Sequence, residues 1–276
     1  MPNRSLEGRS IIVTGGGSGI GAACALKAAQ EGALVTLCGR TQAKLAAVAQ
    51  SIIGGGGKAQ IVTADVTQEA DVVRLMQQAA QFGGGIHGFV ANAGGGGLPA
   101  PYHLQDTETF LNVLHLNVLS TFLSIKHAVP YLARAGNGAF VGLSSLAGHV
   151  THPNFGAYPV AKAGIESMIR NAADEYGSAH IRFNAVQPGF IATEVMAGIP
   201  EGGEVWNSYV EQTPLGGVGQ PEAIADVVHF LLSDASRWMT GQMLAVDGGN
   251  SLRRGPDYSG SVKRRFDAQS LDPRTA

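Results

Sequence analysis

The sequence predicts an α/β fold: a single-domain, Rossmann-like, doubly wound parallel sheet of about seven strands with helices on both faces. Two features point there. Short apolar runs recur along the chain, and longer segments with helical spacing of apolar residues separate them, the alternation of β and α units. The first run also ends in a glycine-rich turn that leads straight into a helix, an arrangement that brings backbone N–H groups close to a phosphate.

Ile11-Ile12-Val13-Thr14 is apolar enough for a strand covered on both faces. T-G-G-G-S-G-I-G follows, with Gly15, Gly19 and Gly21 spaced G-x-x-x-G-x-G, and opens a helix whose inward residues are Ile20, Ala23, Cys24 and Ala28. Residues 34–38 form the second strand and run into Gly39-Arg40, where a dinucleotide fold often presents a carboxylate to the adenosine ribose. A carboxylate holds a 2′-hydroxyl and repels a 2′-phosphate, whereas a guanidinium pairs with phosphate in a fork. Arg40 therefore favours NADP(H). NAD(H) is the alternative, with Arg40 stacking on adenine or capping a turn.

An alanine-rich helix over 41–53 ends in four glycines, and a third strand over 61–66 carries Asp65 at its C-terminal end. That carboxylate can accept from an adenine amino group, or Asp65 or Thr67 can cap the helix over 68–82. The fourth strand, 88–91, gives way to Asn92-Ala93-Gly94 and three more glycines, which suits close approach of a ribose and nicotinamide. A long helix over 107–132 contains Asn117, and a fifth strand over 139–143 leads to Ser144 and Ser145.

Tyr158 and Lys162 stand four residues apart at the opening of the next helix, hence on one face. A cation at that range lowers the phenol pKa toward the working pH, so Tyr158 can exchange a proton with an alcohol or alkoxide. Pro159 requires the helix to begin only a few residues earlier, near residue 154, where the helix dipole adds to the effect of Lys162. His149 and His152 read as polar loop residues at a substrate mouth. With no other His/Cys cluster, no metal site is expected. Strand six covers 181–186, with Phe183 in the core. The glycines and aromatics of 190–214 read as a substrate lid, Pro221 opens a helix over 222–232, and 243–248 ends the sheet in A-V-D-G-G.

The 276 residues carry a formal charge of −2, which leaves no electrostatic footprint for nucleic acid. No apolar run is long enough to span a membrane, and the first residues enter the first strand without a leader-like apolar stretch. Cys24 and Cys38 read as small buried residues. A cytoplasmic protein is expected.

T-G-x-x-x-G-x-G, D-V, N-A-G, a serine after strand five and Y-x-x-x-K, in that order, resemble the short-chain dehydrogenase/reductase family over residues ~8–250. The resemblance implies a catalytic set of Asn117, Ser145, Tyr158 and Lys162, with Ser145 identified by its distance from Tyr158 and Asn117 holding a proton-relay water. It also implies a cofactor site at Gly15, Gly17, Ser18, Gly19, Ile20, Gly21, Arg40, Asp65, Val66, Asn92, Ala93 and Gly94. Tyr158, Lys162, Pro188, Gly189, Ile191 and Thr193 complete that site. The implied activity is hydride transfer between a nicotinamide and a carbonyl or secondary alcohol of a hydrophobic small molecule, by a homo-oligomer, usually a tetramer or dimer. An enoyl reductase, or a cofactor-holding sensor or scaffold without turnover, is the alternative. Residues 1–252 make up the catalytic domain on this reading. The tail, 253–276, departs from the family, bears a net charge of +3 and is poor in large apolar residues. It is expected to be disordered, or packed on a partner subunit, even at its active site.

Overall fold

The computed structural model describes residues 5–275; residues 1–4, read above as the lead into the first strand, lie outside it, as does Ala276. The sheet has seven parallel strands in the order β3-β2-β1-β4-β5-β6-β7. In chain order they are β1 (Ser10–Thr14), β2 (Leu34–Gly39), β3 (Lys58–Thr63), β4 (Gly88–Ala91), β5 (Gly138–Leu143), β6 (Ile181–Pro188) and β7 (Met243–Val246). The order reverses between β1 and β4. At such a switch point the crossover helices diverge to opposite faces and leave a crevice beyond the C-terminal strand ends.

Alternation along each strand divides the core into two layers. Ile11 and Val13 point to one face, where they pack with α1 (Gly19–Gln30), α2 (Gln42–Gly54) and α8 (Pro221–Leu232). Ile12 points to the other, against α3 (Glu69–Gly83), α5 (Ser120–Ala135) and α6 (Ala157–Tyr176). On that second face Phe89, Phe140 and Phe183 lie in register on β4, β5 and β6 and stack with centroids 5.1 and 5.3 Å apart. Phe183 is fully buried there, so its bulk is absorbed by a row of rings.

Three local departures from the sequence reading bear on function. The third strand is shifted toward the N-terminus, so Asp65 lies beyond it in the turn, where its Oδ1 accepts from the Thr67 N–H and hydroxyl. The helix expected over 107–132 is interrupted: α4 (Thr107–Leu114) passes through a π turn at His115–Leu119 before α5 begins. Its wider backbone ring is accompanied by side-chain bonds, with the Thr121 hydroxyl donating to the Asn117 carbonyl at 2.7 Å. Finally, α6 begins at Ala157 rather than near residue 154, because Asn154 and Gly156 both take positive φ. Pro159 thus falls in the first helical turn, where its missing N–H breaks no bond.

The segment after β6 folds into a short 3₁₀ turn (Glu194–Gly198) and α7 (Glu204–Glu211). The tail is folded too, with α9 (Ser259–Arg265) and α10 (Ala268–Leu271), and it packs on its own chain. The tail, expected to be disordered or packed on a partner subunit, thus forms helices that contact the body of its own chain. Its few apolar residues suffice because they are placed together: Tyr258 and Val262 are buried, and Tyr258 joins Phe190 and Tyr209 in one cluster. Arg264 pairs with Glu204, and His103 meets the Ser270 carbonyl at 2.9 Å. Among the described residues no helix is long and apolar enough to cross a membrane.

Candidate active site

The crevice at the switch point is a cleft of about 920 Å³ lined from Gly15 at one end to Tyr209 and Tyr258 at the other. Its first wall is the β1–α1 turn. Ser18 caps α1 without a side-chain hydrogen bond, and the first turn of the helix holds no acidic residue. The leading N–H groups therefore present positive potential to the cleft, a fit for the phosphates of a dinucleotide. The turn is closely built. A Cβ on Gly15, whose φ is +64°, would stand 2.6 Å from the Asn92 amide nitrogen. That Asn92 nitrogen donates to the Thr14 and Gly15 carbonyls at 3.0 and 3.3 Å, pinning the turn to the end of β4.

Gly17, Gly19 and Ile20 line the same stretch, with Arg40 exposed at the end of β2 and Asp65 and Val66 beyond it. Asn92, Ala93 and Gly94 continue the wall toward Lys162. A Cβ on Gly94 would fall 2.6 Å from Asn117 Oδ1 and 3.3 Å from Lys162 Nζ, so that glycine keeps open a space shared by both polar groups. Pro188, Gly189, Ile191 and Thr193 close the far side. Gly21 stands behind the cradle rather than in its lining, packed against the Gly15 carbonyl.

Asn117 is fully buried in the π turn, its Nδ2 donating to the Gly95 and Val113 carbonyls at 2.8 Å each. Lys162 is also buried, with Nζ donating to the Leu143 carbonyl at 2.8 Å and lying 5.4 Å from the centre of the Tyr158 ring. An ammonium has three donors, so two remain for the cleft. Burial lowers the Lys162 pKa to about 8.

Burial also acts first on Tyr158 and raises its pKa; a hydrogen bond with the Ser145 hydroxyl opposes this, and Tyr258 adds to it. The sequence argument, which had Lys162 bring the phenol down, left out this desolvation. The protein alone therefore holds Tyr158 as a neutral phenol.

The two adjacent serines have different surroundings. Ser145 is half-buried at the cleft, and its Oγ accepts from the Ala147 N–H at 3.2 Å. Ser144 faces inward, donating to Glu166 at 2.8 Å, and Gln187 donates to the same carboxylate oxygen at 2.7 Å. His149 is exposed and meets Gln187, outside the cleft lining. His152 is buried in the lining, and desolvation lowers its pKa.

At this end of the cleft Tyr209 belongs to the 190–214 lid read from the sequence, whereas sequence reasoning missed Tyr258. Phe155 packs on Tyr158 with centroids 5.0 Å apart, and Phe190 stacks on Tyr209 at 4.0 Å. A lone tyrosine in a polar tail was the available signal for Tyr258.

A family model described as Enoyl-(Acyl carrier protein) reductase matches residues 15–251. The chain is 39% identical to cis-4-hydroxycyclohexanecarboxylate dehydrogenase of Sinomonas cyclohexanicum, over 87% of this chain and 96% of that one. A short-chain type dehydrogenase/reductase from Mycobacterium ulcerans superposes with a TM-score of 0.93 at 39% identity, covering 97% of this chain and 98% of its own. A 7α-hydroxysteroid dehydrogenase complexed with NADH and 7-oxo glycochenodeoxycholic acid superposes with a TM-score of 0.85 at 32% identity, over 90% of this chain and 96% of its own. Likeness of sequence and of architecture over nearly the whole length has one meaning: the chain belongs to the short-chain dehydrogenase/reductase family.

Proposed function

We propose that the protein is an NADP(H)-preferring oxidoreductase that interconverts a secondary alcohol and a ketone on a hydrophobic, ring-shaped small molecule. The observation that carries this is the placement of Tyr158, Ser145 and Lys162 together in the lining where the glycine cradle gives way to an aromatic pocket. The bound nicotinamide would supply a hydride to the carbonyl carbon or take one from the carbinol carbon. Tyr158 gives its proton to the developing alkoxide in reduction and accepts it in oxidation. Ser145 holds the same oxygen by hydrogen bonding. Lys162 directs its two remaining donors at the cofactor ribose, and its charge stabilises phenolate when that forms. Asn117, beside Lys162, is the next member of the proton path. The lid over 190–214 covers the substrate with Phe190, Met196 and Tyr209.

The description of the family model favours a second reading, reduction of an enoyl C=C. Against it, Tyr158 and Ser145 both address an oxygen, as carbonyl chemistry needs. The ring-borne substrates in the names of the two dehydrogenases above support a cyclic ketone or alcohol. Arg40 supports NADP(H), because the cleft wall beside the ribose position ends in a guanidinium.

One assay tests both assignments. Purified protein with cyclohexanone or a substituted cyclohexanone should oxidise NADPH at least about tenfold more efficiently than NADH, and Arg40→Asp should reverse that order. Consumption of an enoyl thioester with no ketone turned over would overturn the reaction. An unchanged cofactor order in Arg40→Asp would overturn the role of Arg40.

The functional unit is a homotetramer on this reading. Leu111, Phe122 and Val160 expose apolar surface on α4, α5 and α6, and Trp238 is 99% exposed before β7. Two separate apolar faces fit the two interfaces of a dihedral assembly. Light scattering on the size-fractionated protein should return four times the chain mass; a monomer would sink the assignment.

A further inference from the structure

The tail brings to the cleft a second phenol that the chemistry above does not use. Tyr258 is 5% exposed, and its ring stacks on Phe155 at 5.1 Å, on which Tyr158 also packs. Phe155 thus joins the reacting phenol to the tail phenol in one aromatic row. The Tyr258 hydroxyl lies 3.3 Å from that of Tyr209 on α7, which is 7% exposed. Two hydroxyls joined by one hydrogen bond leave one O–H proton unspent, and no other side-chain bond from either is found among the described residues. A buried donor without an acceptor costs free energy unless a polar group meets it. Both residues line the cleft, beside the rings of Phe155, Phe190 and His152.

We propose that Tyr258 and Tyr209 form a second oxygen-binding subsite, which selects cyclic ketones or alcohols carrying another neutral oxygen function across the ring. The inference rests on the alcohol/ketone reading above and narrows its substrate class. Flat aromatic walls take the ring, Tyr158 and Ser145 take the reacting oxygen, and the hydroxyl pair takes the other. The second group is a carbonyl or hydroxyl rather than a carboxylate, because among the described residues no spare cation stands beside the pair. Arg264, the tail cation in the lining, is already held by Glu204 at 3.0 Å. His152 is kept neutral by burial.

Calorimetric titration of the full chain, saturated with oxidised nicotinamide cofactor, tests this without turnover, since a ketone cannot react with that form. The probes are 1,4-cyclohexanedione and cyclohexanone. The dione should bind about tenfold tighter, and Tyr258→Phe, which keeps the ring, should reduce the ratio to about one. Tyr209→Phe should do the same, so a folding defect in one variant does not decide the question. Equal affinities in the native protein, binding of neither probe, or a ratio that survives both substitutions would overturn the subsite. Turnover of cyclohexanone with NADPH is read separately: its absence with the binding ratio intact would sink the alcohol/ketone reading and leave the subsite standing.

Discussion

Replacing Tyr158 by phenylalanine is expected to lower kcat by roughly 10²-fold or more while cofactor affinity stays near that of the native protein. The variant removes only the hydroxyl, so the ring packing on Phe155 is kept. Lys162 keeps its bond to the Leu143 carbonyl, and the glycine cradle is untouched. What is lost is the group that moves the proton, an effect confined to the transition state. A Tyr158→Phe enzyme with most of its turnover intact, measured in both directions, would remove Tyr158 from the acid/base role.

The same residue sets the pH dependence. Burial holds the Tyr158 phenol above its ordinary range and brings Lys162 down to about 8. Reduction needs the protonated phenol, so its kcat/KM should be flat from about pH 6 to about pH 8 and fall only at higher pH. Oxidation needs the phenolate, so it should rise with pH through that range. Above it the rise should weaken, because Lys162 loses the charge that favours phenolate. Profiles in the two directions decide the sign; oxidation that is fastest under acid conditions would contradict the assignment.

Much of the fold was legible because its signals are local. Ile11 to Thr14 suits a strand buried on both faces, and the glycines after it a turn leading into a helix. Tyr158 and Lys162 were legible for a similar reason, since four-residue spacing fixes a shared face before any tertiary contact forms. Features that depend on what packs over a residue were not legible. The Tyr158 pKa was argued from its sequence neighbour, whereas desolvation by the folded chain acts first, and Tyr258, which adds to it, lies a hundred residues away along the chain. The π turn around Asn117 has no side-chain pattern that separates it from a helix. Within it Asn117 is satisfied by the Gly95 backbone, a contact far off in sequence. The tail read as disordered because composition counts its apolar residues without showing that Tyr258 and Val262 meet a ready aromatic cluster.

The phosphate turn yields the other large expected effect, in Gly21→Ala. A methyl group at that position would fall inside contact distance of the Gly15 carbonyl oxygen and 2.5 Å from Asn92 Nδ2. Neither neighbour is a free side-chain end. The Gly15 carbonyl belongs to a turn with φ at +64°, and the Asn92 amide is held by its bonds to Thr14 and Gly15. Relief therefore requires moving either the turn away from α1 or β4 away from β1, and both shifts disperse the N–H groups that would meet the cofactor phosphates. The expected outcome is a loss of about 1–3 kcal/mol in stability, as for an overpacked site, together with at least about tenfold weaker cofactor binding. Gly54→Ala is the matched control. It lies at the end of α2 with no atom within 4 Å of the added Cβ and no positive φ, so stability should hold or rise by a few tenths of a kcal/mol. Urea denaturation and cofactor fluorescence titration of the two variants separate the cases. Native stability and affinity in Gly21→Ala would mean that the turn accommodates a side chain, and close packing of the cradle would no longer explain why glycine stands there.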